Sequence, residues 1–334
     1  MTNARLDIES RPFNAAWIYP RPEFESNIYK VLVIGAHPDD ADLLTGGLAL
    51  KLRARGHKVK YIAVTNGDMG HFKQRDIVLA ARRLEEGKAS AEKLGVDYDT
   101  LNIGDGDVWV NREQLRKVIR CIREYAPDLI VTHRPQDYHK DHRYTGQLVK
   151  DASYLLLVPH YMDEYRTPFI DQMPVICYAF DHFENPLFRP DVLLDITDVY
   201  EQKALAISQH VSQLMEWLPY TQGILDQIPE EYDYKQRREI VETLVNYHFS
   251  EVISRFRKLL KAGYPDRKVR QAEAFQICEY GKQPSLKEMK ELFPGAIFPS
   301  SKELEATTEL GKLKEKIKKF KKKITKLEEK LEGK

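Results

Sequence analysis

The first half of the sequence alternates short apolar runs with longer helical segments, and this alternation constrains the fold more than any other feature. Buried strands are predicted at 29–36, 58–65, 99–103 and 128–132, and helices at 43–55, 76–94 and 113–125. Parallel strands need long crossover connections, and such crossovers are right-handed. The pattern therefore predicts an α/β fold whose doubly wound, mostly parallel sheet is flanked by helices in the Rossmann-like manner, followed by a C-terminal helical extension.

The second half of the sequence continues the pattern more weakly. Strands are predicted at 175–180 and 192–196, and a helix at 199–214. Residues 225–261 are charged and helical in period, so we expect them to pack on the sheet or on a partner subunit. The predicted parts are an N-terminal arm (1–28), an α/β domain (29–215), a helical C-terminal part (216–300) and a Lys-rich heptad helix (301–334).

The Lys-rich helix carries a stripe of apolar residues at alternating spacings of three and four. The stripe consists of Leu310, Leu313, Ile317, Phe320, Ile324, Leu327 and Leu331. It favours a coiled coil, through which the chain would form a homo-oligomer. An amphipathic helix on the chain's own domain and a basic helix on an anionic membrane are the alternatives. Like-charged Lys316 and Lys321 flank the stripe and oppose parallel pairing.

Charge and composition exclude several classes of protein. The formal net charge is +1, but residues 312–334 hold 11 Lys and 4 Glu, so the remainder is acidic, which argues against nucleic-acid binding. No run of about 18 uncharged apolar residues occurs, and charged residues interrupt the N-terminus where a secretory signal would be apolar. We therefore expect a cytoplasmic protein without a transmembrane segment, in which Cys121, Cys177 and Cys278 are inert packing thiols.

Histidines and carboxylates follow two of the predicted strands. Ala36-His37-Pro38-Asp39-Asp40 comes directly after the first strand, and His139-Lys140-Asp141-His142 follows the strand at 128–132. Ligand sites of doubly wound sheets lie at the carboxyl ends of the strands, so we expect both motifs at one edge. Capping of the following helix is the structural alternative for Asp39 and Asp40. Two imidazoles packed against two carboxylates would nevertheless be costly without a cation.

These residue types indicate a catalytic metal site. A catalytic zinc takes three imidazole or carboxylate ligands and keeps a fourth position for water. The spacing leaves open whether His139 or His142 joins His37 and Asp40 as a ligand. Zn²⁺ is the expected cofactor, with Fe²⁺ or Mn²⁺ as alternatives, because such ligand sets accept several divalent ions.

The two motifs resemble those of the PIG-L/LmbE-like family of zinc-dependent de-N-acetylases. The likeness covers residues 30–215 and includes, in order, VTNGDMGH, Arg83-x-x-Glu86, Asp105-Gly106, PDLIVTHRPQDYHKDHR and the helix from Lys203 to Gln213. The resemblance implies that His37, Asp40 and His142 bind zinc. It also implies that Asp39 is the general base. His139, oriented by Asp141, would stabilise the oxyanion or protonate the departing amine.

The resemblance further implies several substrate-binding residues. Arg83 would contact the polar or phosphate end of the substrate, with an ion pair to Glu86 or Glu85 as the alternative. Asp68 and Asp105 would bind sugar hydroxyls, with turn formation as the alternative. His210 resembles a family position near the pocket, whereas its place on an amphipathic helix favours a core histidine. The family has Pro where this chain has Lys140, and an extra cation there would favour an anionic substrate.

The function that the resemblance implies is removal of an N-acetyl group by metal-activated water. The substrate would be a small N-acetylated amino sugar or its conjugate, such as a glycosyl thiol or an inositol. Two alternatives are an amidase for another N-acyl or thiol-conjugate substrate and a non-catalytic assembly protein built on the coiled coil. A protein without catalysis has no need of Asp39 beside a complete ligand set, which favours the enzyme.

Overall fold

A seven-stranded sheet forms the centre of the protein. The computed structural model describes residues 28–162, 169–183, 188–229, 231, 233–307, 317, 320 and 321. The strands are β1 (Lys30–Gly35), β2 (Lys58–Thr65), β3 (Asp97–Ile103), β4 (Leu129–Thr132), β5 (Val175–Ala179), β6 (Val192–Asp195) and β7 (Ala272–Ile277). Their order across the sheet is β3-β2-β1-β4-β5-β7-β6. The strands β1 to β5 pair in parallel, and β7 runs antiparallel to both of its neighbours. The predicted doubly wound, mostly parallel α/β fold is confirmed.

Helices cover both faces of the sheet. The α-helices are α1 (Asp40–Ala54), α2 (Asp76–Leu94), α3 (Arg112–Tyr125), α4 (Lys140–Leu155), α5 (Tyr200–Ile207), α6 (Leu218–Thr221), α7 (Tyr234–Arg255), α8 (Arg257–Gly263), α9 (Leu286–Leu292) and α10 (Ser301–Thr307). A π-helical segment, Ser212–Trp217, leads into α6, and a short 3₁₀ turn covers Leu225–Gln227. None of the described helices is long and apolar enough to span a bilayer.

Strand β1 shows why its sequence is apolar throughout. Val31 and Val33 pack on one face with α1, α5 and α7, whereas Leu32 and Ile34 pack on the other face with α3 and α4. Because successive side chains point to opposite faces, a strand covered on both faces needs an unbroken apolar run. The order of the strands reverses between β1 and β4, so the carboxyl ends of these two strands form the switch point of the sheet.

The predicted division of the chain needs correction at residue 215. Strand β7, at 272–277, lies between β5 and β6, so the C-terminal part contributes to the same sheet and is not purely helical. Its sequence AEAFQI was not recognised because Glu273 and Gln276 interrupt the apolar run. The N-terminal arm up to residue 27 and the predicted coiled coil lie outside the described residues, except for α10 and positions 317, 320 and 321.

A buried ion pair joins β7 to the helices of the sheet. The Nζ atom of Lys203 lies 2.7 Å from Oε1 of Glu273 and donates to the Leu43 carbonyl at 2.8 Å. The Glu273 carboxylate also accepts the N–H groups of Gly47 and Leu48 from α1, at 2.7 and 2.9 Å. Both charged side chains are almost completely buried. The pair thereby ties α1, the helix that follows the first motif, to β7 and to α5, which carries Lys203.

We expect the variant Lys203→Met to lose about 3–5 kcal/mol of unfolding free energy, because it leaves a buried carboxylate without its cation. The double variant Lys203→Met/Glu273→Gln should recover part of this loss, because Gln carries no charge and its one amide oxygen still accepts from one of the two α1 N–H groups. Urea unfolding of the three proteins measures the effect. A loss below about 1 kcal/mol in the single variant, as for an exposed pair, would contradict this role.

Candidate metal centre and active site

The two motifs meet at the carboxyl ends of β1 and β4. His37 and Asp39 form the turn between β1 and α1, and Asp40 is the first residue of that helix. The turn is fixed by the Asp40 carboxylate, which accepts the backbone N–H of His37 at 2.7 Å. Asp39 occupies the N-cap position of α1 without a capping hydrogen bond from its side chain, so the capping alternative is not realised. His142 enters from the first turn of α4.

Potential ligand atoms of three side chains lie close together. The Nδ1 atom of His37 lies 3.1 Å from Nε2 of His142 and 3.4 Å from Oδ2 of Asp40. The Nε2 atom of His142 is 3.4 Å from Oδ1 of Asp40. Ligands bound tetrahedrally to zinc at about 2.0–2.1 Å are separated by about 3.3 Å. The spacing and the chemistry of these three side chains therefore fit a zinc ion.

The electrostatics around Asp40 favour its ionised form. Burial raises the pKa of the Asp40 carboxyl, but the neighbouring imidazoles of His142 and His133 outweigh this effect and hold the pKa well below its usual range. A carboxylate is the form that binds a metal ion.

Carboxylates outside the ligand set hold the outer nitrogens of the two histidines. The Nδ1 atom of His142 lies 3.1 Å from Oδ1 of Asp137. The Nε2 atom of His37 lies 3.2 Å from Oδ1 of Asp105 and 3.7 Å from Oδ2 of Asp141. An outer N–H directed at a carboxylate leaves the inner nitrogen unprotonated and oriented for a metal. Asp137 was not predicted from the sequence, because it lies in a loop without periodic signal.

We expect Asp137→Ala to bind zinc about 10–100-fold more weakly than the unmodified protein, as for other residues that orient a metal-ligating histidine. Competition with a fluorescent chelator measures the affinity. Asp151→Ala is the matched control, because that carboxylate lies on the exposed face of α4, where it accepts a hydrogen bond from Gln147 at 2.6 Å. Equal zinc affinities of the two variants would disprove the orienting role of Asp137.

A fourth imidazole adjoins the convergence point. His133 stacks on His142 with ring centroids 4.1 Å apart, and its Nε2 atom lies 3.0 Å from Oδ2 of Asp40. The backbone nitrogen of Ala36 lies 3.1 Å from the same Nε2 atom, which accepts from Ala36 in one tautomer and donates to Asp40 in the other. His133 directly follows β4 and had no motif support in the sequence. His133 therefore packs against two of the proposed ligand residues, His142 and Asp40.

Asp39 is held by Arg83. Oδ1 of Asp39 accepts a hydrogen bond from Nη2 of Arg83 at 2.8 Å, and Nη1 of Arg83 donates to the Gly67 carbonyl at 3.2 Å. Gly67 has a φ of +70°, and a Cβ atom there would lie 2.4 Å from Nη1, so glycine is required. The alternative pairing of Arg83 with Glu86 is not formed, because Arg82 is the partner of that carboxylate. The contact of Arg83 with substrate stays a prediction.

His139 occupies the N-cap position of α4. Its Nδ1 atom accepts the backbone N–H of Asp141 at 3.2 Å, so in the neutral ring Nε2 carries the proton. Burial, together with His37 and His142, lowers the pKa of His139, which favours that neutral form. Its ring centroid is 4.6 Å from that of His37.

The predicted orienting role of Asp141 is corrected in one respect. The contact with His139 is made by its backbone, whereas its carboxylate accepts the Gly106 N–H at 2.7 Å and lies beside His37. The reason is that His139 caps α4 while the Asp141 side chain, completely buried, turns toward the loop after β3.

Two predicted substrate-binding residues have structural partners instead. His210 is completely buried, and its Nε2 atom lies 2.5 Å from Oδ2 of Asp42. It therefore has the role of a core histidine, and its assignment to the substrate is corrected. Asp68 accepts the Asp105 N–H at 2.8 Å and so shapes the loop. Neither His210 nor Asp68 is among the described residues that line the cavity over the site.

This cavity has a volume of about 470 Å³ and is lined by both polar and apolar side chains. The predicted residues that line it are His37, Asp39, Asp40, Arg83, Asp105, His139 and His142. Its apolar lining includes Leu218, Val245, Val252 and Ala274. Gln213 and Asp181 add polar groups that the sequence analysis missed. Lys140 is not among the described lining residues, so the expected cation for an anionic substrate is not presented there.

The protein has a doubly wound α/β sheet. At the switch point of this sheet lies a cluster of imidazoles and carboxylates of the kind that binds metal ions. The chain belongs to the PIG-L/LmbE-like family. Residues 32–153 match PIG-L, described as GlcNAc-PI de-N-acetylase. Diacetylchitobiose deacetylase of Thermococcus kodakarensis is 32% identical over 210 residues, which cover 60% of this chain and 77% of that protein.

Two further comparisons show the range of the fold. N,N'-diacetylchitobiose deacetylase from Pyrococcus horikoshii superimposes with a TM-score of 0.57 and 27% identity, covering 75% of this chain and 84% of that chain. 4-oxalmesaconate hydratase of Pseudomonas putida is 25% identical over 202 residues, which cover 58% of this chain and 78% of the hydratase. The resemblance stated from the motifs is thus confirmed at the level of the family.

Proposed function

We propose that this protein is a metal-dependent N-deacetylase that acts on an N-acetylated amino sugar or its conjugate. The observation that carries the proposal is the convergence of His37, Asp40 and His142 within 3.1–3.4 Å of one another, with Asp39 beside them in the cavity. The similarity to two diacetylchitobiose deacetylases supports the same reaction and a small sugar substrate. A cytoplasmic location and a homo-oligomer remain part of the proposal.

We assign the metal ligands to His37 through Nδ1, to Asp40 through its carboxylate and to His142 through Nε2. Zn²⁺ in such a site polarises a carbonyl group and lowers the pKa of bound water to about 7. Fe²⁺ and Mn²⁺ would accept the same ligands, and metal analysis of the purified protein distinguishes them.

Asp39 is the general base in this proposal. Arg83 holds Oδ1, and the carboxylate has a second oxygen that can accept a proton from the attacking water. The water oxygen bonds to the acetyl carbon as that proton moves to Asp39. The guanidinium also keeps the Asp39 carboxylate oriented before the reaction, which reduces the reorganisation that the step requires.

His139 completes the reaction on the substrate side. Because its Nδ1 atom is occupied by the Asp141 N–H, its Nε2–H is the group that can donate to the oxyanion. The C–N bond then breaks, and the departing nitrogen takes up the proton that Asp39 accepted from water, which restores the Asp39 carboxylate. The products are the free amine and acetic acid, which ionises to acetate. Arg83 and Asp105 line the same cavity and are proposed to contact the polar groups of the sugar.

A screen for amine release tests the proposed function. The zinc-loaded protein is incubated with N-acetylglucosamine, N,N'-diacetylchitobiose, an N-acetylglucosaminyl inositol and a glycosyl thiol, and primary amine and acetate are measured. We expect equal amounts of both products from at least one sugar. Thiol conjugates and N-acyl amino acids without a sugar test the alternative amidase. Release from these compounds alone, or no release while zinc is bound, would refute the sugar deacetylase.

A further inference from the structure

Lys140, in the first turn of α4, contacts the loop that follows β3. Its ammonium group donates to the carbonyl of Gly106. The Nζ atom also lies 3.9 Å from the centre of the Trp109 ring and 3.7 Å from Oδ1 of Asp141. A cation above an indole face is attracted by the negative face of the ring. Lys140 thus connects the first turn of α4 to residues 104–111, here called the β3–α3 loop.

The β3–α3 loop carries groups that lie behind the proposed ligand His37. Asp105 places Oδ1 at 3.2 Å from Nε2 of His37. The next residue, Gly106, donates its N–H to Oδ2 of Asp141 at 2.7 Å. That same oxygen is 3.7 Å from Nε2 of His37. The orientation of His37 therefore depends on where this loop is held.

The positive charge of Lys140 also compensates the buried negative charge of Asp141. The Asp141 side chain is completely buried, and its Oδ1 atom has no hydrogen-bond partner within the part of the chain that the structure describes. A buried carboxylate oxygen without a hydrogen bond is costly unless a cation is near. The ammonium of Lys140 is the group that supplies this compensation, at 3.7 Å.

We propose that Lys140 is a positioning residue that clamps the β3–α3 loop against α4 and thereby fixes Asp105 and Asp141 behind His37. The effect on turnover rests on the proposed deacetylase function, whereas the effects on the loop and on metal affinity do not. The clamp acts through Gly106 and the Trp109 ring, so Lys140 itself has no contact with substrate.

The test compares Lys140→Met, Lys140→Arg and Lys150→Met. Lys150 is the matched control, since it lies on the same helix over the Tyr280 ring, 4.8 Å from its centre, and takes no part in the site. In the metal-free protein, hydrogen exchange of the Gly106 amide should become at least about tenfold faster in Lys140→Met and stay unchanged in Lys150→Met. Zinc affinity should fall about tenfold in Lys140→Met alone.

The conservative variant distinguishes a clamp from a general loss of stability. Arg also stacks on indole and donates to a carbonyl, so Lys140→Arg should stay within about threefold of the unmodified protein in exchange and in zinc affinity. Thermal unfolding of all variants shows whether they are folded. With an active substrate, kcat of Lys140→Met should fall about tenfold while KM changes less than about twofold.

The outcomes separate the two proposals. If the unmodified protein releases no amine from any sugar, the deacetylase proposal fails, but exchange and zinc affinity still decide the role of Lys140. If Lys140→Met equals Lys150→Met in both of these measurements, the clamp is overturned. A rise in KM without a change in kcat would also overturn it, because it would indicate direct contact between Lys140 and substrate.

Discussion

Asp39→Asn should retain one zinc per chain and lose turnover by about 10²–10⁴-fold, the range that general acid–base catalysis contributes. Asn has nearly the shape of Asp, and its amide oxygen can still accept the hydrogen bond from Arg83 that Asp39 accepts at 2.8 Å. The amide cannot take a proton from water. The metal ligands are untouched, so the loss should appear in kcat and leave zinc content unchanged.

The control for this variant is Asp99→Asn, an exposed carboxylate on β3 that pairs with Lys60. Zinc content by atomic emission and kcat for amine release are measured on both proteins. Asp39→Asn with full activity would remove Asp39 as the base. Loss of zinc together with activity would instead make Asp39 a ligand.

His142→Ala should lose both zinc and activity. Its Nε2 atom is 3.1 Å from Nδ1 of His37 and 3.4 Å from Oδ1 of Asp40, so its removal leaves two of the three proposed ligands. We expect zinc affinity to fall by more than the roughly 100-fold that removal of an outer partner can cause. Saturating zinc should raise the Tm of the unmodified protein, since it binds the native state, and should not raise that of His142→Ala.

His160→Ala serves as the matched control, because this histidine is exposed and lies outside the site. It should keep the zinc affinity, the zinc-dependent rise in Tm and the activity of the unmodified protein. His142→Ala that still binds zinc at full affinity would exclude His142 from the ligand set. His133, which stacks on His142, would then be the imidazole to test next.

Much of the fold could be predicted because its central strands are buried on both faces. The prediction of 58–65 coincides with β2, and the prediction of 29–36 contains β1 at 30–35. Strand β3 begins at Asp97, two residues before its predicted start, because its alternately exposed residues give a weaker apolar signal. Strand β7 was missed because the burial of Glu273 depends on Lys203, which is 70 residues away.

The candidate site also contains residues that the sequence predicts and residues that it does not. His37 and Asp40 could be proposed from the sequence because they lie in a compact motif directly after a strand. The spacing left His139 and His142 open, and the choice of His142 came from the family resemblance. The structure places these three side chains close together. Asp137 and His133 acquire their roles only through contacts across the switch point. The partner of His210 is Asp42, 168 residues distant, so periodicity alone could not exclude a place at the cavity.

The most direct measurement is anomalous diffraction at the zinc edge from crystals of the zinc-loaded protein. We expect a single strong peak at the carboxyl ends of β1 and β4. It should lie about 2.0–2.2 Å from Nδ1 of His37, a carboxylate oxygen of Asp40 and Nε2 of His142. A peak coordinated by His133 or His139 in place of one of these residues, or no peak between β1 and β4 in protein that holds zinc, would contradict the proposed metal centre.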